Sequence, residues 1–397
     1  MNRLSFSHPI VRAAFCVLLL ALPLTSAWNL AIAPSHPALA IQIGPKLGGV
    51  TRDEPVTLTW SSLRDHSFQK AVAARVTEAM AIRPLLIRVN NEIRFSLFGE
   101  LTAPQVIRGA NGQLIERSYL EEYCARTEDQ PAAFAADIIP KLLDIQNYYR
   151  SHGGIFVYLV TPSKAAHLPE YFIDRVPCPS TPAARTQFVP RYVNLLRQAG
   201  IDVVDTATLI HALKGHYEVE LFPQGGVHWN DIGGAQAVTA VVDDINRQAG
   251  RQLVPPFTFT YTLSGVTSGV DRDLADLLNV LFPPLAYLTP KVTFQQPASC
   301  ADHPARLIDA AIVGSSFSHL PGQILVEDNC LYGLNVYYYM RLGRFGGPPY
   351  HELQRNLTDA DLVRLRDAKI MIVEENESFV ARTGYVNELR KIVTTPR

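Results

Sequence analysis

Residues 307–318 read LIDAAIVGSSFS. The nearly unbroken apolar run from Leu307 to Val313 is the pattern of a strand buried on both faces of a sheet. The Gly314-Ser315-Ser316-Phe317-Ser318 that follows is where the chain must turn toward a helix. Working outward, the same unit recurs. Ile138, Leu142, Ile145 and Tyr149 form a helical stripe, Gly153-Gly154 cap it, and Ile155 to Val160 is a second apolar strand. Tyr192, Leu195, Leu196 and Ala199 make another stripe, Gly200 is placed to cap it, and Ile201 to Val204 is a short strand. Leu331 to Tyr339 and Ile370 to Val373 are further strands. The last is preceded by a helix that Thr358 caps, with Leu362 and Leu365 turned inward. Helices alternating with continuous apolar strands predict an α/β fold with a parallel sheet covered by helices on both faces. Chemistry in such sheets sits beyond the carboxyl ends of the strands.

The chain has 397 residues, 47% of them hydrophobic and 18% charged, which fits a folded protein with a sizeable core. Its formal net charge is -1 with both signs interspersed, so no basic stripe offers itself to nucleic acid. Arg3 and Arg12 precede an apolar run from Ala13 to Ala27, with small residues at Thr25-Ser26-Ala27 and again at Ala38-Leu39-Ala40. Residues 1–40 therefore read as an export signal, or, if retained, as an anchor associating the chain with the inner membrane. No later segment is long and apolar enough to cross a bilayer, which places the rest outside the cytoplasm. Cys16 falls in the signal. Cys124, Cys178, Cys300 and Cys330 then permit two disulfides in an oxidising compartment, in three connectivities that sequence does not separate. We favour Cys124 with Cys178 and Cys300 with Cys330, the second pair bracing the segment that holds Ser316.

Residues 41–120 form an N-terminal region packed on the main domain, with a turn-rich start and a helix from Ser67 to Met80. The α/β domain spans 121–397. Within it a helix from Ala235 to Ala249 leads to an insertion at about 250–300, Pro-rich and Phe/Tyr-rich from Pro255 to Tyr261, with another helix around Asp271 to Leu281. This insertion reads as a lid or substrate wall.

Ser316 is presented at the end of its strand, with backbone N–H groups of the following helix start near enough to receive an oxyanion. A hydroxyl is a poor nucleophile until an imidazole takes its proton. His228 offers one, in the glycine-flanked loop Gly225-Gly226-Val227-His228-Trp229-Asn230 just before a helix. Alone, Gly-Ser-Ser is common turn chemistry and a loop histidine is more often a satisfied imidazole; together they point to a serine site. No C-x-x-C or H-E-x-x-H spacing occurs, so no metal site is predicted.

Four stretches carry a family resemblance: residues 106–114 (VIRGANGQL), residues 154–171 (GIFVYLVTPSKAAHLPEY), His228-Trp229-Asn230, and Gly314-Ser315-Ser316-Phe317. From about Asp53 to Val373 the chain resembles the periplasmic alginate O-acetyltransferases and their relatives in other exopolysaccharide systems. The resemblance implies a circularly permuted SGNH-hydrolase-like domain, with the insertion between the histidine and serine blocks. It also implies periplasmic acetyl transfer through a Ser316 acyl-enzyme with His228 as base, no dissociable cofactor, a polysaccharide acceptor, and an acetyl donor supplied by a membrane-bound O-acyltransferase. Asn376, after the strand from Ile370 to Val373, is nominated as oxyanion donor, with Asn335 as the alternative. The family commonly has an acid two residues before the histidine, where this chain has Gly226. A Ser-His dyad, an acid from elsewhere (Asp231, Asp205 or Glu374) or loss of catalysis would each account for that, and in the case of a missing acid Gly226→Asp would raise activity. Two other functions share these residues: a carbohydrate acetyl esterase, in which water attacks the acyl-enzyme, and a non-catalytic polysaccharide-binding or assembly protein. Tyr337 to Arg341 is either a sugar-lining segment or a buried strand. Lys164 and His167 read as a structural loop, and His319 competes with His228 as base.

Overall fold

The structure, a computed structural model, describes residues 9–49, 56–295, 299–345, 347 and 351–396. Arg3, counted with the export signal, lies outside them. The chain forms two compact units, Met1–Pro104 with Ala275–Pro283, and Gln105–Leu274 with Pro284–Arg397. The first is helical, with Pro9–Ile32, Trp60–Arg64, Ser67–Ala79 and Arg83–Phe98. Among the described residues no helix is long and apolar enough to cross a membrane.

The second unit opens with an antiparallel pair, β1 (Val106–Arg108) and β2 (Leu114–Glu116). Its sheet contains β3 (Ile155–Thr161) and β4 (Val203–Asp205). A separate antiparallel pair, β5 (Thr258–Ser264) and β6 (Thr289–Gln295), interrupts the sequence. The sheet then resumes with β7 (Asp309–Gly314), β8 (Gly333–Tyr338), β9 (Arg341–Phe345), β10 (His351–Asn356) and β11 (Ile370–Asn376). The spatial order is β10-β9-β8-β7-β11-β3-β4. From β8 to β4 the strands are parallel, as the apolar runs predict. β9 and β10 add an antiparallel edge.

Alternation along each strand divides the core. Phe156, Tyr158, Val160, Met371 and Val373 meet the helices Gln130–Ser151, Phe188–Gln198 and Gly384–Thr394 on one face. Val157, Leu159, Ile370 and Ile372 meet Asp231–Ala249 and His319–Glu327 on the other. Full burial of each Val, Leu or Ile contributes about 1.5–3 kcal/mol, so strands apolar at every position hold both layers of helices. Gly153 (φ 67°) and Gly200 (φ 82°) take the left-handed conformation where the two preceding helices stop, as their positions suggested.

Three expectations change. The strand entering the serine turn starts at Asp309, because Pro304–Leu307 is a 3-10 helix that leaves Leu307 exposed. The stretch after Pro255, for which no regular element is predicted, forms β5, with Thr258, Thr260 and Thr262 alternating with Phe259, Tyr261 and Leu263 in the period-two pattern of a half-buried strand. The helix expected from Asp271 to Leu281 is reduced to a 3-10 turn, Gly269–Asp271, and the short Asp273–Leu277, since Asn279 turns to a positive φ of 47°.

Both favoured disulfides are present, Cys124–Cys178 and Cys300–Cys330. The second closes a 30-residue separation around β7 and the serine turn. Replacing Cys300 and Cys330 by serine is expected to remove roughly 3–4 kcal/mol of stability through restored chain entropy in the unfolded state, read as a lower midpoint in a denaturant titration.

Candidate active site

β7 ends at Gly314, and Ser315 caps the 3-10 turn Ser316–Ser318, its Oγ accepting the Phe317 N–H at 3.3 Å. On the neighbouring β11, Glu374 Oε2 accepts from Ser315 N–H (2.6 Å) and Ser315 Oγ–H (2.9 Å), while its Oε1 accepts from Thr161 Oγ–H (2.6 Å) at the end of β3. One buried carboxyl thus ties the ends of three adjacent strands. Gly314 is obligatory here, since a Cβ would stand 2.6 Å from Glu374 Oε2. Burial raises the Glu374 pKa to about 7, against the pull of the three donors. Ser316 itself is half-buried, two residues beyond Gly314, which pairs with Tyr338 at the end of β8.

His228 lies in the loop before the helix Asp231–Ala249, whose N-cap is Asn230; that side chain accepts from the N–H groups of Ile232 and Gly233. The loop packs on the serine turn through Phe317, whose ring centroid is 4.8 Å from that of His228 and 5.9 Å from that of Trp229. His228 Nδ1 is 2.5 Å from Asp273 Oδ2, and Asp273 Oδ1 accepts the Val227 N–H at 2.9 Å. A carboxylate on Nδ1 fixes the tautomer: Nδ1 carries the proton and Nε2 the lone pair. That Nε2 is buried with no hydrogen-bond partner among the described residues.

A carboxylate does hold His228 Nδ1, and it is none of the three nominated. Asp205 caps the helix that follows β4, accepting the Thr208 N–H. Glu374 holds Ser315 and Thr161. Asp231 opens the helix Asp231–Ala249, where burial, then repulsion from Asp271, raises its pKa. Asp273 lies 45 residues beyond His228, in the first turn of a helix expected around Asp271 to Leu281, so no local spacing announced it. Gly226 is not a vacancy left by a lost carboxylate. A Cβ there would come within 2.1 Å of the Val270 carbonyl oxygen and 2.9 Å of Pro223 Cγ, because the Gly269–Asp271 turn that delivers Asp273 lies against it.

The remaining candidates have structural engagements. Asn376 is buried, donates through Nδ2 to the Pro162 carbonyl (2.7 Å) and accepts from Ser378 N–H (3.0 Å), holding the chain where it leaves β11. Asn335 donates to the carbonyl of Gly333. His319 packs its ring on Tyr338 at 5.0 Å. Tyr337 is fully buried whereas Tyr339 is half exposed, so the tyrosine run is part core and part surface. His167 is buried against His211, with an Nδ1 to Nδ1 distance of 3.2 Å, and burial lowers its pKa to about 3.

A doubly covered parallel sheet, a serine turn at the end of one strand and a carboxylate-held histidine packed on that turn define an SGNH-hydrolase-like protein. Residues 119–324, just over half of the chain, match the family described as SGNH hydrolase-like domain, acetyltransferase AlgX, and the chain belongs to that family. Among solved structures it is similar to the O-acetyltransferase domain of Pseudomonas putida AlgJ (15% identity over 72% of this chain and 99% of that one, TM-score 0.45). It is also similar to Pseudomonas aeruginosa AlgX (14%, 72% and 66%, TM-score 0.46) and Bacillus cereus PatB1 (10%, 69% and 96%, TM-score 0.41). None of the curated proteins compared matches the chain.

Gly226→Asp is expected to lower thermal stability and to slow any reaction at Ser316, the reverse of what a missing acid would give; an unchanged melting temperature would show that the Val270 contact yields. Glu374 makes a pH prediction. Its folded pKa is raised from 4.5 to about 7, so the folded state binds the proton more tightly, and the stability this contributes is full below 4.5 and lost as pH rises to about 7. In guanidinium titrations the difference between the native protein and Glu374→Gln should change across that window, by on the order of 1–3 kcal/mol, and be flat above it.

Proposed function

We propose that this chain is an exported, periplasmic O-acetyltransferase that carries an acetyl group on Ser316 and delivers it to a hydroxyl of a secreted polysaccharide. The observation that carries the reading is His228, oriented by Asp273 through Nδ1 and packed on the turn that presents Ser316, with Nε2 left open. Family membership supplies the acetyltransferase class. The two disulfides and the apolar N-terminal stretch support export, and the histidine loop preceding the serine strand fits a permuted domain.

In this mechanism His228 Nε2 takes the proton of Ser316 as Oγ attacks the acetyl carbonyl, then returns it to the departing donor group. Asp273 stabilises the imidazolium without taking its proton. A sugar hydroxyl next gives its proton to Nε2 and attacks the acetyl-serine, and the proton goes back to Ser316 as the ester leaves. We assign the oxyanion to the Ser316 N–H at the start of the 3-10 turn, since the Ser315 N–H goes to Glu374 and the Phe317 N–H to Ser315 Oγ, rather than to Asn376, whose amide is engaged with Pro162 and Ser378. The donor is an acetyl group handed over by a membrane-bound O-acyltransferase partner, as the family resemblance implies. Gly226, which favoured a non-catalytic reading, is accounted for by Val270 and Asp273.

A fluorophosphonate should label Ser316, with Ser316→Ala abolishing labelling and Asp273→Asn slowing it by roughly 10³-fold or more, since the wrong tautomer is then favoured. Folded protein that does not react would return the chain to the binding class. Supplied with an acetyl ester and an oligosaccharide, the protein should yield acetylated sugar; acetate alone would make it an esterase.

A further inference from the structure

Lys164 follows β3 in the four-residue helix Lys164–His167 and is fully buried. Its Nζ donates to the carbonyls of Pro223 (2.6 Å), Gln224 (3.2 Å) and Gly226 (2.8 Å). An ammonium has three N–H donors, and here each has an acceptor. All three acceptors lie in the stretch immediately before Val227 and His228, whose own N–H groups both go to Asp273. The histidine loop is thus gripped from two sides, by a cation on its carbonyls and a carboxylate on its N–H groups. Among the described residues no carboxylate hydrogen-bonds to the Lys164 ammonium. Burial lowers its pKa to about 7, with Asp273 the charge that opposes the shift. An ammonium kept in so unfavourable a place is a poor device for stability alone, which an apolar side chain would serve better.

We propose that Lys164 is a positioning residue for acetyl transfer: its three hydrogen bonds set the loop carbonyls so that Val227 and His228 reach Asp273 together and Nε2 is delivered to the serine turn. This rests on the serine-site reading above. Lys164 does not touch the reacting atoms. It acts through the 223–226 backbone, where Gly226 offers its carbonyl to the lysine and has no room for a side chain.

The test uses the full oxidised chain. Lys164→Met keeps the length and apolar stem and removes every donor; Lys164→Gln keeps two N–H groups without charge and serves if the methionine variant does not fold. Folded Lys164→Met should label at Ser316 at least ten-fold more slowly than the native protein, and the His228 Nδ1 proton resonance should move or broaden. In Lys164→Ala, n-propylammonium supplies the three carbons and the nitrogen that were removed and should restore labelling in part. Tetramethylammonium, charged but without N–H, should not. Labelling of a folded variant at the native rate with an unchanged His228 resonance overturns the proposal, as does equal rescue by both cations. If the native protein is not labelled at all, it is the serine-site reading that fails; the His228 resonance then still decides whether Lys164 sets the loop.

Discussion

The contact on which the rest of the second unit depends is the pairing of β11 along β3 on one side and β7 on the other. Ile370 to Val373 align with Ala310 to Val313 and with Ile155 to Tyr158, so three buried strands run in step and end side by side. Apolar side chains cover both faces of this trio, and the residues that finish β11 and follow it, Glu374 to Ser378, are buried, so their polar groups need partners within the protein. The polar residues that finish the strands supply them. Glu374 joins the serine turn to Thr161. Glu377 accepts from Ser163 N–H and from His211, and pairs with the buried Arg126. Asn376 joins Pro162 to Ser378.

This polar layer places the site in two steps. Glu374 fixes where β7 turns and therefore where Ser316 stands. Lys164, at the end of β3, reaches the loop of the histidine. The two groups proposed to exchange a proton are each anchored to a buried charge on a central strand or just beyond one, and a rigid scaffold of that kind is what a short proton path requires.

Much of this was legible in the sequence. Buried parallel strands announce themselves by apolar residues at every position, so β3, β7 and β8 could be read within a residue or two of their ends, while β11 runs three residues past Val373 into the polar Glu374-Glu375-Asn376. The helices that cover them showed their stripes, and Gly200 and Gly153 marked where two of them stop. The cysteine count left three connectivities, and the favoured one is the one the structure holds. Ser316 and His228 could be singled out because each sits at a glycine-rich break next to a regular element. Two kinds of feature escaped. β9 and β10 form an antiparallel edge at the end of the sheet, where composition need not be apolar throughout. Asp273 escaped because its role is set by where the chain returns after β5, and nothing in the sequence local to His228 records that return.

The clash at Gly226 has a meaning for how such sites are recognised and rebuilt. Position 226 and the carboxylate of Asp273 exclude each other, because the turn that brings the carboxylate fills the space a side chain at 226 would need. The carboxylate on His228 comes from the excursion around β5 and β6 and not from the histidine's own loop, so cutting that excursion out would remove it. A motif demanding an acid two residues ahead of the histidine would discard this chain, although its imidazole has a carboxylate at 2.5 Å.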